Sequence, residues 1–175
     1  MRIGVDATCW TNRRGYGRYA RALLSAVLEL DERNQYVFFV DDESDQFPLP
    51  SSVDIRRVTT KVPTVRAAGA DSRRSLGDLW AVAQAIRRER VDVIYFPAMY
   101  SYVPVFTSTP RIVTIHDTIP ELFPELVFPT LRSRMFYGAK SRLGIWQAQL
   151  LLTVSEYSRR CLVEKLKIPQ AHGNE

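Results

Sequence analysis

The stretch IGVDATCWTNRRGYGRYARALLSAVLELDERNQYVFFV, residues 3–40, decides the fold because it alternates strand, helix and strand. The first apolar run, Ile3–Asp6, is short and typical of a buried strand. The last, Gln35–Val40, is a continuous run rich in aromatic and β-branched residues, which also favours a buried strand. Between them, apolar residues recur with helical spacing at Ala20, Leu23, Leu24, Val27 and Leu28. Such a unit predicts two parallel strands joined by a right-handed crossover.

The same alternation continues along the rest of the chain. Further strands are predicted at 53–58, 91–96, 111–116 and 150–154. The first of these is weak and suits an edge of the sheet. Helices are predicted after capping signals at Ser75, Thr130 and Ser155, and the last should end before Pro169. We therefore expect an α/β, Rossmann-like, doubly wound fold: a mainly parallel sheet with helices on both faces.

Two of these helices have an apolar face that should pack on the sheet. In the helix after Ser75, this predicted face consists of Leu76, Leu79, Trp80, Ala83 and Ile86. In the helix after Thr130, it consists of Met135, Ala139, Leu143 and Trp146. The charged residues of both helices would then lie in water.

Length, charge and cysteine content limit the classes of function. The chain has 175 residues, 46% of them hydrophobic, which suits one domain with its own core. Its net charge of +5 fits an anionic ligand, nucleic acid or an anionic membrane surface without choosing among them. Two distant cysteines, Cys9 and Cys161, and only two histidines make a zinc site improbable. We expect a reducing, cytoplasmic setting, because the sequence shows neither a signal-peptide pattern nor a membrane-spanning run.

The glycines of NRRGYGRYARALL, residues 12–24, suggest a phosphate site at a helix start. Gly15-Tyr16-Gly17-Arg18 opens a G-x-G-x-x-A pattern, and Asp41 lies near the spacing of a ribose-binding acid. That dinucleotide hypothesis is disfavoured, because the loop before the first glycine is too long for the tight turn of such motifs. A helix N-terminus with nearby arginines can still bind an anion. The alternative is a solvated loop whose glycines only permit a turn.

Two more strand ends carry polar residues. The stretch VTIHDTIPELFPE, residues 113–125, places His116 and Asp117 at the carboxyl end of a strand, where they can bind hydroxyl groups or accept a proton. Ser155 follows the last strand, and its simplest role is that of a helix N-cap. Asp6, at the end of the first strand, is expected to order the following loop. Ligands of parallel sheets bind beyond the carboxyl ends of the strands, which is where all these residues lie.

Taken together, four stretches resemble the amino-terminal domain of GT-B fold glycosyltransferases of group 1, family 4. They are IGVDA…RRGYGRYARALLSAVLEL, DVIYFP, VTIHDTIPELFPE and LLTVSEYSRRCLVEKLKIP. The resemblance covers nearly the whole chain, and TIHD-x-IP followed by TVSEYSR is its most specific part. It implies a retaining transferase with two Rossmann-like domains. It also implies that residues 1–169 form the acceptor-binding domain and that 170–175 are a polar tail or the start of a linker. The donor domain is then absent from this chain, and the chain alone should be inactive.

The resemblance also implies roles for individual residues. It places Gly15, Tyr16, Gly17 and Arg18 at the donor diphosphate. His116 would lie beside the transferred sugar and Asp117 would face the acceptor, as the two catalytic candidates. Tyr100 and Ser155 would line the acceptor site. This chain has Ala98-Met99-Tyr100 where many relatives have a histidine, which leaves the acceptor open.

The implied partners are a nucleotide-diphosphate sugar and a glycan or lipid-linked acceptor, without metal, cofactor or nucleic acid. Leu131–Gln147 carries four basic residues, no acid and several apolar side chains, so it could contact an anionic membrane at the inner face of the plasma membrane. Its alternative is an ordinary crossover helix. Two other functions remain open: a dinucleotide-binding oxidoreductase domain and a non-catalytic subunit of a split transferase.

Overall fold

The computed structural model describes residues 1–41, 47–61 and 76–169. Its centre is a six-stranded sheet in which every neighbouring pair of strands is parallel. The strands are β1 (Arg2–Asp6), β2 (Gln35–Val40), β3 (Asp54–Arg57), β4 (Val93–Phe96), β5 (Arg111–Ile115) and β6 (Leu150–Thr153). Their order across the sheet is β3-β2-β1-β4-β5-β6. This confirms the doubly wound α/β fold and places the weak strand β3 at an edge, as predicted.

The helices connect and follow the strands. They are α1 (Gly15–Leu30), α2 (Leu76–Glu89), α3 (Ile119–Leu122), α4 (Pro124–Val127), α5 (Leu131–Gln147) and α6 (Glu156–Glu164). A short 3₁₀ helix, Ala7–Cys9, follows β1. Thr130 forms a capping box with Ser133 at the start of α5, and Ser155 caps α6. The capping box predicted at Ser75 lies outside the described residues.

Alternate residues along the strands belong to two hydrophobic cores, one on each face of the sheet. In β2, Val37 and Phe39 belong to one core, while Phe38 and Val40 belong to the other. The Val37 side also contains residues of α2, α5 and α6. The Phe38 side contains the apolar face of α1, including the buried Leu24. Helices therefore cover both faces of the sheet, as the alternation of elements predicts.

The predicted buried face of α5 is wrong. Met135 and Trp146 are 67% and 78% exposed, and Ala139 is exposed as well. The helix instead buries Tyr137, Ser141, Gly144 and Gln147. A similar correction applies to Trp80 of α2, which is exposed while Val82 and Ile86 are buried.

Close packing explains which face α5 buries. A Cβ atom at Gly144 would lie 3.0 Å from the Sδ atom of Met99, so the helix approaches the loop after β4 through its smallest residue. The Tyr102 hydroxyl donates a hydrogen bond to the Gln147 side chain, which satisfies a polar group in the interior. Small and paired polar residues thus replace the apolar stripe, and the large apolar side chains turn outward.

The segment from Asp117 to Pro129 contains the two single-turn helices α3 and α4, which the sequence analysis did not predict. Each has a proline in its first turn, a position where the missing N–H group costs no hydrogen bond. These turns carry the chain away from His116 and back to α5.

Candidate functional site

The site lies where the strand order reverses, between β1 and β4. At such a point, the loops after neighbouring strands diverge and leave a crevice at the carboxyl edge of the sheet. The loop after β1 leads to the start of α1, the loop after β4 begins at Pro97, and β5 delivers His116. Aromatic contacts join these elements: the rings of Tyr16 and His116 have centroids 6.3 Å apart. The structure therefore brings the glycine motif and the histidine to one rim.

The two glycines of α1 differ in their surroundings. Gly15 is exposed, and a Cβ atom there would meet nothing within 4 Å. Gly17 is buried, and a Cβ atom there would lie 2.0 Å from the backbone oxygen of Asn12. The second glycine is thus required by the approach of the preceding loop to the helix. Only the first leaves the backbone open to a ligand.

The start of α1 has the features of an anion site. Arg14 is the N-cap residue in an extended conformation, and no side chain caps the first turn. The first N–H groups of a helix have no partner within the helix, and the dipole there favours negative charge. Arg13, Arg14 and Arg18 are all exposed around this end. The arrangement suits a phosphate or diphosphate group.

His116 is half-buried at the end of β5, and its hydrogen bond defines its tautomer. The Nε2 atom lies 2.8 Å from the carbonyl oxygen of Pro97. Because a carbonyl only accepts, Nε2 carries the proton, and Nδ1 of the neutral ring is an acceptor. Burial lowers the pKa of His116, and the bond to Pro97 opposes that shift only in part. The ring of Tyr19 packs edge-on against the imidazole with centroids 4.8 Å apart. The site thus holds a neutral, oriented imidazole.

A row of aromatic rings extends from α1 to α5 beside His116. Tyr16 stacks on Tyr100 with centroids 5.6 Å apart, and Tyr100 lies 6.0 Å from Tyr137. The Tyr16 hydroxyl accepts a hydrogen bond from the Asn12 side-chain amide. Burial raises the pKa of Tyr16 to about 12 and raises that of Tyr100 as well. These phenols therefore stay protonated at neutral pH and can donate hydrogen bonds.

Two carboxyl groups lie next to this row. Asp117 is half-buried, and its Oδ1 atom accepts a hydrogen bond from the Ile119 N–H. Glu121, in α3, accepts a hydrogen bond of 2.9 Å from the Ser141 hydroxyl at Oε1, while its buried Oε2 atom has no hydrogen-bond partner. Burial raises the pKa of Glu121.

Ser155 and Asp6 have local structural roles. The Ser155 hydroxyl accepts the Ser158 N–H group at 3.1 Å, which is the N-cap arrangement. Ser158 in turn donates to the backbone oxygen of His116 at 3.3 Å, so α6 begins at the same rim. The Asp6 carboxylate accepts from both the backbone and the hydroxyl of Thr8, which orders the loop after β1 as predicted.

Sequence reasoning missed Tyr19, Glu121 and Tyr137 as members of the site. Tyr19 lies three residues after Tyr16 on the same helix, so the helical spacing could have placed both rings on one face. No local pattern reveals Glu121 or Tyr137, because each reaches the site only through the path of the chain after β5.

Within residues 1–41, 47–61 and 76–169, no three histidine, cysteine or acidic side chains come together as metal ligands would. Within the same residues, no helix is both long and apolar enough to cross a membrane.

Comparison with protein families gives a match to the model described as Glycosyltransferase Family 4 over residues 14–172. The matched segment begins next to the first residue of α1 and includes His116, the row of aromatic rings and α6. Comparison with curated proteins gives no match.

Proposed function

The chain belongs to glycosyltransferase family 4, and from this premise we propose that it is the acceptor-binding half of a retaining glycosyltransferase. The proposed reaction moves a sugar from a nucleotide-diphosphate sugar to a glycan or lipid-linked acceptor. A second, donor-binding domain would face the carboxyl edge of the sheet, with residues 1–169 as the acceptor-binding domain and 170–175 as a polar tail or the start of a linker. We place the enzyme in the cytoplasm.

The observation that carries this proposal is the convergence of three elements at the point where the strand order reverses. The open N-terminus of α1, the neutral imidazole of His116 and the stacked Tyr16 and Tyr100 rings share one rim. A sugar transfer from a diphosphate needs an anion-binding group, hydrogen-bonding partners for hydroxyls and a surface for sugar rings. This rim supplies all three.

On the donor side, the leaving diphosphate gains negative charge in the transition state. The first turn of α1, with Gly15, Tyr16 and Gly17, would direct its N–H groups and dipole toward that charge. The positive charge of Arg18 would further stabilise the leaving diphosphate. Because Gly17 is buried against Asn12, we assign the direct backbone contact to Gly15 and the shape of the turn to Gly17.

On the sugar side, Nδ1 of His116 would accept a hydrogen bond from a hydroxyl of the transferred sugar. Asp117 would bind the acceptor, with Tyr100 beside it and Ser155 at the margin. For a retaining transfer, we propose that the acceptor attacks on the face from which the diphosphate departs and that the leaving phosphate takes the acceptor proton. The described residues then fix geometry and charge rather than forming a covalent intermediate.

A dinucleotide-dependent oxidoreductase is a weaker candidate. A 3₁₀ helix and further residues separate β1 from Gly15, so the tight turn of that motif is absent here. Asp41 is fully buried and cannot bind a ribose without rearrangement. A subunit of a split transferase remains the closer alternative, because it would use the same rim with a separate donor-binding chain.

We expect the isolated chain to bind nucleotide-sugars only weakly and to lack transferase activity. A single helix end offers few hydrogen bonds, and the base and sugar contacts would belong to the donor domain. Isothermal titration calorimetry with several uridine-, guanosine- and adenosine-diphosphate sugars measures this. A dissociation constant of about 1 μM or lower would show that the donor site lies in this chain. It would contradict the proposal that most donor contacts belong to a second domain.

The outward face of α5 supports a contact with anionic membranes. Trp146 and Leu131 are 78% and 70% exposed, and Arg132 and Arg134 are exposed on the same helix. Apolar and basic side chains on one accessible helix suit the boundary of a bilayer that contains anionic lipid. Docking there would bring the cleft to a lipid-linked acceptor.

We expect the double variant Arg132→Ala/Arg134→Ala to lose vesicle binding. Each arginine near an anionic surface contributes about 1 kcal/mol, so both together change the partition coefficient roughly thirtyfold. Co-sedimentation at low salt with vesicles of phosphatidylcholine and phosphatidylglycerol measures the loss. The matched control is Arg87→Ala/Arg88→Ala on α2, which removes the same charge from another exposed site. Equal losses in both double variants, or no binding by the unmodified chain, would contradict the contact.

A further inference from the structure

A cavity lies at the amino edge of the sheet, at the opposite end of the strands from the candidate site. Its volume is about 580 Å³, within the range of about 300–1,000 Å³ that is common for ligand sites. Its walls come from the loop before β5, the first residue of β5 and the segment that joins α5 to β6. The length of β5 separates it from His116 by about 16 Å. We call it the amino-edge cavity, and its lining includes Phe106, Ser108, Arg111, Trp146, Gln147 and Gln149.

A buried guanidinium group, that of Arg111, forms the floor of this cavity. The residue is only 5% exposed. Its Nη2 atom donates to the carbonyl oxygens of Val105 and Thr107, both at 2.6 Å, and Nη1 lies 3.5 Å from the Gln147 carbonyl oxygen. Since a guanidinium has five N–H donors, these three bonds leave two without a partner, one of them on the buried Nε atom. The surrounding carbonyl groups therefore do not satisfy Arg111 completely.

The positive charge of Arg111 also lacks a counter-ion. Within the described part of the chain, no carboxylate pairs with Arg111, and the walls of the cavity contain no acidic residue. The carbonyl end of α5 offsets part of this charge, because the helix dipole there is equivalent to about half a negative charge. The exposed Arg142, one turn before Trp146 on α5, adds positive charge nearby. A buried, unpaired charge costs free energy, and a bound anion would lower that cost.

The mouth of the cavity is aromatic and polar. Phe106 and Trp146 are both largely exposed although they line the same cavity. Ser108 supplies a hydroxyl group, and the Oε1 atom of Gln149 accepts the backbone N–H of Arg111 at 2.6 Å, which leaves the Gln149 amide group as a donor. Flat aromatic faces pack against the apolar C–H face of a sugar ring, while amides and hydroxyls bind its hydroxyl groups. With the unpaired guanidinium below them, these groups suit a sugar ring that carries a carboxylate.

We infer that the amino-edge cavity is a second carbohydrate site, which binds a glycan at a sugar with a carboxylate group, as in the uronic acids. Trp146 and Phe106 hold the ring, and the charge of Arg111 selects the carboxylate. The site contains none of the groups assigned to sugar transfer, so it goes beyond the proposed function and would anchor a glycan outside the cleft. It is also separate from the basic residues of the proposed membrane contact, because Arg132 and Arg134 lie about 20 Å along α5 from Trp146.

The binding test uses the 175-residue chain in titrations followed by NMR. The probes are tetrasaccharides of hyaluronan and of galacturonan, which contain uronic acids, and the neutral cellotetraose and chitotetraose. Tetraglutamate serves as an anion without sugar rings. We expect at least one uronate probe to bind about tenfold more tightly than the neutral probes and tetraglutamate. Its affinity should fall as sodium chloride rises from about 20 mM to about 500 mM, because salt screens the attraction to Arg111.

The variants locate the binding in the cavity. Trp146→Ala is expected to weaken uronate binding about tenfold, since it removes the stacking surface from an exposed position without disturbing the core. The matched control is Trp80→Ala, which removes an exposed tryptophan from α2 and should leave the affinity unchanged. Arg111→Gln removes the charge and should lower the preference for uronate over neutral sugar about tenfold. Because Arg111 is buried, its melting temperature is measured first, and the tryptophan pair decides if this variant does not fold.

The outcomes are distinct from those that test the proposed function. Equal losses in Trp146→Ala and Trp80→Ala, or tetraglutamate binding as tight as that of the uronates, would overturn the site. Neutral probes that bind as well as the uronates, or an unchanged preference in a folded Arg111→Gln, would overturn the role of Arg111. Vesicle binding that is lost in Trp146→Ala, without binding of any glycan, would assign Trp146 to the membrane and overturn the inference. The proposed function fails on another result, tight nucleotide-sugar binding by the isolated chain. Uronate binding that is weakened in Trp146→Ala and retained in Trp80→Ala would support the second site.

Discussion

Replacing Gly17 with alanine is expected to lower the free energy of unfolding by about 3 kcal/mol or more. The added Cβ atom would lie 2.0 Å from the Asn12 carbonyl oxygen and 2.8 Å from its carbonyl carbon. Both are backbone atoms, so no side-chain rotation can relieve the clash, and either the loop or the helix must move. Overpacking of well-packed sites costs about 1–3 kcal/mol and more where the backbone has to shift. Chemical denaturation monitored by circular dichroism measures the loss.

Gly15→Ala is the matched control, because it makes the same chemical change two residues earlier in the same helix. A Cβ atom at position 15 meets nothing within 4 Å, and alanine favours a helix over glycine by about 1 kcal/mol. We therefore expect a stability equal to or slightly above that of the unmodified chain. Equal destabilisation by the two substitutions would show that helix entry, rather than the contact with Asn12, determines the need for glycine at position 17.

The glycine motif was interpreted only in part from the sequence. The spacing correctly predicted that a helix begins at the glycine motif, because a short strand and a helical apolar face enclose it. It did not separate the roles of Gly15 and Gly17, because that difference depends on how close the Asn12 backbone comes to the helix. That distance depends on the conformation of the folded loop and cannot be predicted from the local sequence pattern.

The fold followed from the sequence because strand and helix periods are local signals. The strands of the central sheet, the edge position of β3 and the capping at Thr130 and Ser155 were all predicted from patterns a few residues long. The orientation of α5 was not, because its apolar residues do not mark its buried face. That face is chosen by Gly144, which allows close approach, and by Gln147, which pairs with a buried hydroxyl. Contacts with segments that are distant in sequence therefore determine which face of α5 is buried.

The candidate site, like the fold, was predicted from the sequence only in part. Gly15, Tyr16, Tyr100 and His116 are near one another because the carboxyl ends of neighbouring parallel strands share an edge, and that follows from the order of the elements. Glu121 joins them only through the two single-turn helices after β5, which no sequence pattern predicted.

In the proposed two-domain enzyme, His116→Ala is expected to lower turnover about a hundredfold while the free energy of unfolding falls by only about 1 kcal/mol. The imidazole lies at the end of β5 and is only half-buried, so it adds little to the core. Its loss removes one hydrogen bond to the Pro97 carbonyl, which is worth about 1 kcal/mol. The loss of an oriented group at the reacting sugar costs much more, in the range of about 10²-fold for a positioned catalytic side chain. Turnover and melting temperature are measured on the same preparation.

Two further variants at this position separate contact with the sugar from support of the loop. His116→Gln places an amide donor near Nε2 and can keep the bond to Pro97, but it lacks the acceptor at Nδ1. His116→Asn places an amide oxygen near Nδ1 and loses the bond to Pro97. If the Nδ1 acceptor contacts the sugar, the asparagine variant retains more turnover than the glutamine variant although it is less stable. The reverse order of the two variants, with turnover following stability, would assign His116 to the support of the Pro97 loop alone.

The unmodified enzyme should also lose activity as falling pH protonates the imidazole, since burial lowers the pKa of His116 and the neutral ring is the active form.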